Sequence, residues 1–383
     1  MKKLLLAIIA LLVVLAPVAP MNSAEARGRE LLVPQVYPSI QAAVDHAVPG
    51  DTVVVGRGTF TEELLVDRDV TIRGAGIGRT IITAPTELST YGVHLPDGRM
   101  LSAVVRVDRG AHVSMSGLTV TGPIPCGREV TGIHALRGAT LNLSRIRVTG
   151  IEADPSTCPG DDAAGRAIVY GTPEHIDVDG QRGTPASGRL DHVLVDHFQH
   201  AGISVGAASA GPRSHVVVVN SAISGGWTIP TFQADLWIDA GAVVDVRDNL
   251  IKNAVCGGEG CGPDPIFEGQ GIGILLLSME PGSRIVGNRI SGNDVGITQV
   301  FSPGCCVITG NALLANRYFG LIIQDGDGAA RGNVIRGGQV GVGIVADAAD
   351  TTGWLTGNSI RRMTDQSVKT VACCGYIARA VVR

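Results

Sequence analysis

The sequence predicts an all-β fold, a parallel β-helix in which short strands wind into stacked coils. Three observations predict it. Four Gly-Asn pairs, at Asn288, Asn311, Asn333 and Asn358, recur at spacings of 23, 22 and 25 residues, and a period of this size marks a stacked repeat. The segments beside them (284–286, 307–309, 354–356) are short, apolar and broken every few residues by Gly, Asn or Asp, which is strand-and-turn patterning. The first three pairs are each followed by a Gly-apolar pair that opens another run: Gly296-Ile297, Gly320-Leu321 and Gly343-Ile344. A coil of about 23 residues holds three strands and three turns, and each strand pairs with its equivalent one coil on, about 4.8 Å away. Asn at one turn of every coil would stack its amide into a ladder, and Asn tolerates the left-handed backbone of a sharp turn. Hairpin turns of a β-sandwich would have no reason to recur so regularly.

The elements follow in order. Lys2 and Lys3 precede an apolar stretch over 4–18, and Ala24-Glu25-Ala26 fits a small-x-small cleavage site, so residues 1–26 are expected to be a secretory signal peptide. Residues 27–383 are expected to form a single β-helix domain, with a cap over 36–60 and coils over about 61–380. A solenoid must cover its open end. Residues 38–47 read as a short amphipathic helix, with Ser39 as N-cap and Ile40, Ala43, Val44 and Ala47 on one face. Pro49-Gly50-Asp51 then turns the chain into runs at 52–55, 58–62, 70–76 and 80–82. Residues 104–107, 112–115 and 118–120 form one candidate coil, and 132–135, 140–143 and 146–148 the next. Residues 190–195, 202–205 and 216–223 continue the pattern. At this period the chain accommodates about 11–13 coils.

The opening segment, SIQAAVDHAVPGDTVVVGRGTFTEELLVDRDVTIRGAGIGRTII over residues 39–82, resembles the start of the pectin-lyase-like right-handed parallel β-helix superfamily. With the Gly-Asn repeats the resemblance covers nearly all of the mature chain. It implies a right-handed coil and an active groove along one strand stack. It does not fix an activity, because lyases, esterases, epimerases, hydrolases and binding proteins share this opening. The polygalacturonase set (Asn-x-Asp, Asp-Asp, Gly-His-Gly, Arg-x-Lys) does not occur in order, and the Asp-Pro-His-Asp of alginate epimerases is absent. The pectin-esterase signature is only loosely approached by residues 232–237.

Composition narrows the class. The net charge of −4 argues against a nucleic-acid partner. Glycine is abundant at 52 residues, aromatics make up 4% and hydrophobic residues 45%, which suits a tightly turning solenoid and excludes disorder. Eight cysteines in an exported chain point to disulfides. Cys126 and Cys158 fall in loops before strands of adjacent coils, so a bridge between them is geometrically reasonable. Cys256 and Cys261 close a small Gly-rich loop. The vicinal pairs Cys305-Cys306 and Cys373-Cys374 are three coils apart, roughly 14 Å of rise, against a limit near 7 Å for a bridge. The tail then folds back, or each pair forms a vicinal ring or stays reduced. A metal site lacks the usual Cys-x-x-Cys spacing and a neighbouring His.

If the residue after each Gly points inward, the next points outward. The outward row is then His134, Val169, Ser204, Trp237, Leu275, Thr298, Ile322 and Val345, with Asp239 and Asp347 in a second row. Loops at 122–131, 151–166 and 256–270 should border this groove and carry charged groups, Arg128 and Glu129 among them. The candidate catalytic residues are Asp161, Asp162, Arg166, Asp239 and Glu268, and the candidate substrate-binding residues are His134, Trp237 and Arg128. Paired carboxyls suit glycoside hydrolysis. The resemblance to polysaccharide lyases implies another use, with Ca²⁺ held by Asp161 and Asp162 beside Arg166. No other cofactor is indicated. Residues 196–200, with His197 and His200, read as a polar turn. The expected function is that of a secreted, monomeric, polysaccharide-active lyase or hydrolase of uronic-acid-containing glycans, with no membrane association after signal cleavage. The alternative is a non-catalytic carbohydrate-binding or cell-surface β-helix, and the resemblance also admits metal delivery of the kind served by β-helix accessory proteins of nitrous oxide reductase.

Overall fold

Alternation of apolar and polar residues along each strand decides which side chains enter the coil. Thr52–Val55, Leu64–Val66 and Ala242–Arg247 each bury every second residue, and the inward side chains merge into one Val/Ile/Leu core that runs the length of the molecule. A computed structural model describes residues 28–154, 158, 164–226 and 232–383. The expected signal peptide over 1–26 lies outside these. No helix among the described residues is long and apolar enough to cross a membrane.

The chain forms the parallel β-helix that the repeat implies. Strands one coil apart pair in parallel, from Glu30–Val33 against Thr52–Val55 to Thr351–Thr356 against Ala378–Val382. At the N-terminal end lies helix α1 (Ile40–His46), with Ser39 Oγ accepting from Ala42 N and with Ile40, Ala43 and Val44 buried. The Glu62 carboxylate also receives the free N–H groups of Ile40 and Gln41, at 3.0 Å each, which suits the positive end of a helix.

One sheet carries the candidate site. Besides the short strands Leu64–Val66 and Gln181–Arg182 at its edges, its strands are β1 (Gly92–His94), β2 (Met100–Val107), β3 (Glu129–Ala135), β4 (Ala164–Tyr170), β5 (Ile176–Val178), β6 (Ala201–Val205), β7 (Ala234–Ile238), β8 (Ile272–Leu277), β9 (Val295–Val300), β10 (Phe319–Gln324), β11 (Val340–Ala346) and β12 (Gln366–Ala372). Strands β2, β3, β4 and β6–β12 stack in parallel in that order. β1 and β5 do not join this stack. β1 pairs antiparallel with β2, and β5 pairs antiparallel with β1.

The Asn ladder is present and longer than the Gly-Asn spacing indicates. Asn249, Asn288, Asn311 and Asn333 each pass a side-chain N–H to the Oδ1 of the next Asn, ending at Asn358, at 2.9–3.1 Å. Each Oδ1 also accepts the backbone N–H of the preceding Asn, at 2.9–3.1 Å. The left-handed backbone falls on the residue before the Asn and not on the Asn itself: Gly287, Gly310, Gly332 and Gly357 have φ of 61–67°. The Asn must keep an extended approach to aim its amide inward, so the preceding residue makes the turn. A second, shorter ladder joins Asn293 to Asn316 at 3.1 Å.

All eight cysteines are bridged: Cys126–Cys158, Cys256–Cys261, Cys305–Cys306 and Cys373–Cys374. The vicinal pairs therefore close on themselves and do not reach across three coils.

Replacing Asn311 by Ala is expected to lower stability by about 2–4 kcal/mol, because it leaves the buried backbone N–H of Asn288 without an acceptor and removes one of the acceptors of the Asn288 side-chain amide. Asn311→Asp should also destabilise, since a carboxylate cannot donate to Ile285 O and Asn333 as the amide does. Urea unfolding of both variants measures this, and wild-type midpoints would remove the ladder's role.

Candidate active site

On the outer face, the stacked row runs His134, Val169, Ser204, Trp237, Leu275, Thr298 and Ile322 by direct register. The next member is Gly343 and not Val345, which aligns with Gln324. The reason is that Gly341, not Gly343, occupies the strand position of Gly320, as the flanking pairs Phe319–Val340 and Leu321–Val342 show. A cleft opens over β3, β4, β6 and β7, with about 500 Å³ of empty space including its mouth. Its polar lining is Glu129, Thr131, His134, Arg166, Thr172, His175, Ser204 and Asp239, and Trp237 closes one side.

Arg166 is the hub. Glu129 and Arg166 enter the face from neighbouring strands β3 and β4, whose leading loops are tied by the Cys126–Cys158 bridge. Arg166 Nε lies 3.0 Å from Glu129 Oε1, and Arg166 Nη1 donates to Ser204 Oγ at 3.2 Å. The guanidinium stands 5.2 Å from the centre of the Trp237 ring, within cation–π range. Trp237 is braced by His200 at 5.2 Å and edge-on by Phe232 at 5.3 Å.

The titratable groups are pulled apart by their surroundings. Burial raises the Asp239 carboxyl above its ordinary range, although Ala240 N–H, His175 and Arg166 oppose the shift. Burial lowers His175, and His94 adds to this. His200 is pushed down to about 3, by burial first and then by the charge of Arg166. His134 is held down to about 4 by burial. Its Nε2 stands 3.1 Å from Gly171 O, which can only accept, so Nε2 carries the proton and Nδ1 accepts from Tyr91 Oη at 2.6 Å. The cleft thus pairs a carboxyl shifted toward its protonated form with imidazoles shifted toward their neutral form.

No family model matches the sequence, and neither does any curated relative. Among solved structures, a GH136 lacto-N-biosidase from Eubacterium ramulus superposes with a TM-score of 0.57 at 12% identity over 90% of this chain, which spans 64% of that protein's length. An alginate lyase from a Paenibacillus species gives a TM-score of 0.48 at 13% identity, covering 90% of this chain and 99% of the other. The A-module of a mannuronan C-5 epimerase from Azotobacter vinelandii gives 0.47 at 14% identity, covering 90% and 94%. The chain has the fold of a right-handed parallel β-helix. At these identities the likeness concerns the fold alone.

This β-helix brings four of the expected residues together and separates others. Arg166, Asp239, Trp237 and His134 line the one cleft. His134 sits at its base, 2% exposed, with both ring nitrogens engaged. Arg128 turns away to donate to Leu88 O at 2.8 Å. Glu268 is outside the cleft, where its carboxylate accepts from Asp264 N at 2.7 Å within its own loop. Asp161 and Asp162 lie outside the described residues. Asp347 is at a far corner, with its N–H on Asp325, in a group with Cys373 and Cys374 whose sulfurs are joined to each other. The described residues of the cleft do not by themselves supply a Ca²⁺ site, and Asp161 and Asp162, the expected ligands, lie outside them. That ion takes about six to eight oxygen ligands, and of the carboxylates here Glu129 is engaged by Arg166 and Asp239 is shifted toward its neutral form.

Sequence reasoning named Glu129 only as a loop residue and missed His175 and Tyr91. The available signal was length. Segments 84–99 and 172–186 break the coil period with Pro, Gly and His residues, as site-bearing insertions do.

Glu129 is 6% exposed, so removing its partner strands a buried charge. Arg166→Ala is expected to cost about 2–4 kcal/mol in thermal or urea unfolding, and Glu129→Gln in the same background should recover part of it. Equal stability of all three proteins would contradict the pairing.

Proposed function

We propose that the protein cleaves a glycosidic bond of an acidic glycan in this cleft. The observation that carries the reading is that two carboxyls in unlike settings, the buried Asp239 and the ion-paired Glu129, line one cleft with an Arg166–Trp237 stack. Glycoside hydrolysis uses a pair of carboxyls in unlike roles. Asp239, in its acid form, donates its proton to the departing glycosidic oxygen. Glu129, ion-paired with Arg166, faces the positive charge that develops on the sugar ring, and a water molecule then adds to the anomeric carbon and returns a proton to the Asp239 carboxylate. Trp237 offers an apolar surface to the ring, and Arg166 offers a guanidinium to a sugar carboxylate. The relatives in fold support a glycan substrate by analogy only. Four disulfides support export into an oxidising compartment.

Lyase chemistry is the second reading, and His175 favours it. A neutral imidazole lining the same cleft could take the proton α to a uronate carboxylate held by Arg166.

The test incubates residues 27–383 with pectate, alginate and hyaluronan, following new reducing ends and ultraviolet absorbance. New ends without absorbance support hydrolysis, and both together support the lyase. Retention on one glycan without either would establish a binding module instead. For the hydrolase, Asp239→Asn is expected to lower kcat at least about 100-fold with binding retained. Trp237→Ala should weaken binding about tenfold, ~1.4 kcal/mol. The acid form of Asp239 is the active one and its pKa is raised, so activity should persist above the ordinary carboxyl range and fall as pH rises through that raised value. A pH profile that instead rises there would transfer the role to a base.

A further inference from the structure

We infer that the cleft is an end pocket, which receives the terminus of a glycan chain and does not let a chain run through along the sheet. This rests on the glycan reading above.

In an open β-helix groove, a long chain would lie along the stacked outward row. Here the row is closed on both sides of the cleft. Toward the N-terminus, β1 and β5 pair antiparallel and fold over the outer face of β2 and β3. Gly92 and Val93 pair with Leu101 and Met100, and His94 and Val93 pair with Ile176 and Asp177. This flap has its own small core, in which Leu101, Leu136, Ile176 and Val178 are buried and Tyr91 packs against them. It is also pinned by hydrogen bonds. Tyr91 Oη is bound to His134, Leu95 N donates to His175 O at 2.9 Å, and Arg106 stacks on the Tyr91 ring at 4.7 Å. Of the row positions that would carry sugar units on this side, His134 therefore lies beneath protein and the Arg106 guanidinium is stacked against the Tyr91 ring. His175 and Ile176 of the flap form the wall that faces the cleft.

Beyond Trp237 the row is filled from within. Leu275, Thr298 and Ile322 are 6%, 5% and 1% exposed, packed among Val295, Phe319 and Val345. Thr298 Oγ1 is itself buried and has no partner among the described residues. Sugar hydroxyls need hydrogen-bonding partners when they leave water, and this surface supplies none along the row. Among the described residues the polar lining is thus confined to the three coil steps from His134 to Trp237, roughly 14 Å, and a bound chain must leave sideways into solvent.

The test uses the wild-type mature chain with end-labelled oligogalacturonides and oligomannuronates, from dimer to octamer, measured by calorimetry and by product size over time. An end pocket predicts that affinity changes by less than about twofold beyond the trimer. It also predicts that one small product accumulates from the first time point. Affinity that climbs through the hexamer, or early products of mixed length, would overturn the end pocket while leaving glycan cleavage in place. Failure to bind or cleave any oligomer would overturn both. Tyr91→Ala, which loosens the flap without touching Asp239, Glu129 or Arg166, should shift products toward mixed lengths. A Tyr91→Ala protein that keeps its fold by circular dichroism and the single small product would count against the flap as the barrier.

Discussion

Everything in this structure depends on coil-on-coil pairing at strand spacing. Each strand must find its equivalent about 4.8 Å away, so an inward or outward choice made in one coil is imposed on the next. A register slip of one residue would turn the apolar row of a whole strand into solvent. The Asn ladder guards against that slip. Each Oδ1 takes both a backbone N–H and a side-chain N–H from the coil before, and neither would find an acceptor in a shifted register. The ladder is buried, so the loss would not be made good by water.

The same rigidity makes the cleft possible. Glu129 and Arg166 lie on adjacent strands of a fixed ladder, and the disulfide at Cys126–Cys158 ties the loops that lead into them. Side chains held in this way pay little ordering entropy when a ligand arrives. Around them, burial shifts Asp239 upward and His175 downward. Opposite shifts from one cause follow from the sign of each group's charge, since low polarity disfavours the carboxylate and the imidazolium alike.

Among the described residues, the flap is the part of the site sheet that departs from the solenoid. It replaces parallel stacking with antiparallel pairing over the outer face of two coils. The departure coincides with the polar cleft, whereas the regular coils beyond Trp237 present a packed apolar row. A repeat scaffold supplies position, and its interruptions supply chemistry.

The sequence by itself determined the coil. Periodic Gly-Asn pairs, β-branched runs and the amphipathic segment at Ile40–His46 were enough for the β-helix and its helical cap, because both rest on local periodicity. They also placed Arg166, Asp239, Trp237 and His134 near one groove, since the outward row follows from strand alternation. Asn249 escaped because Asp248 stands where the other coils have Gly, and Val345 was misaligned because two glycines sit two residues apart in one strand. Only the tertiary structure decided what the groove is. The flap pairs residues 92–94 with 176–178, with no period to announce it, and so the covering of His134, the recruitment of His175 and the approach of Glu129 to Arg166 were not legible. These are contacts between segments far apart in sequence, fixed by packing and burial that no single segment encodes.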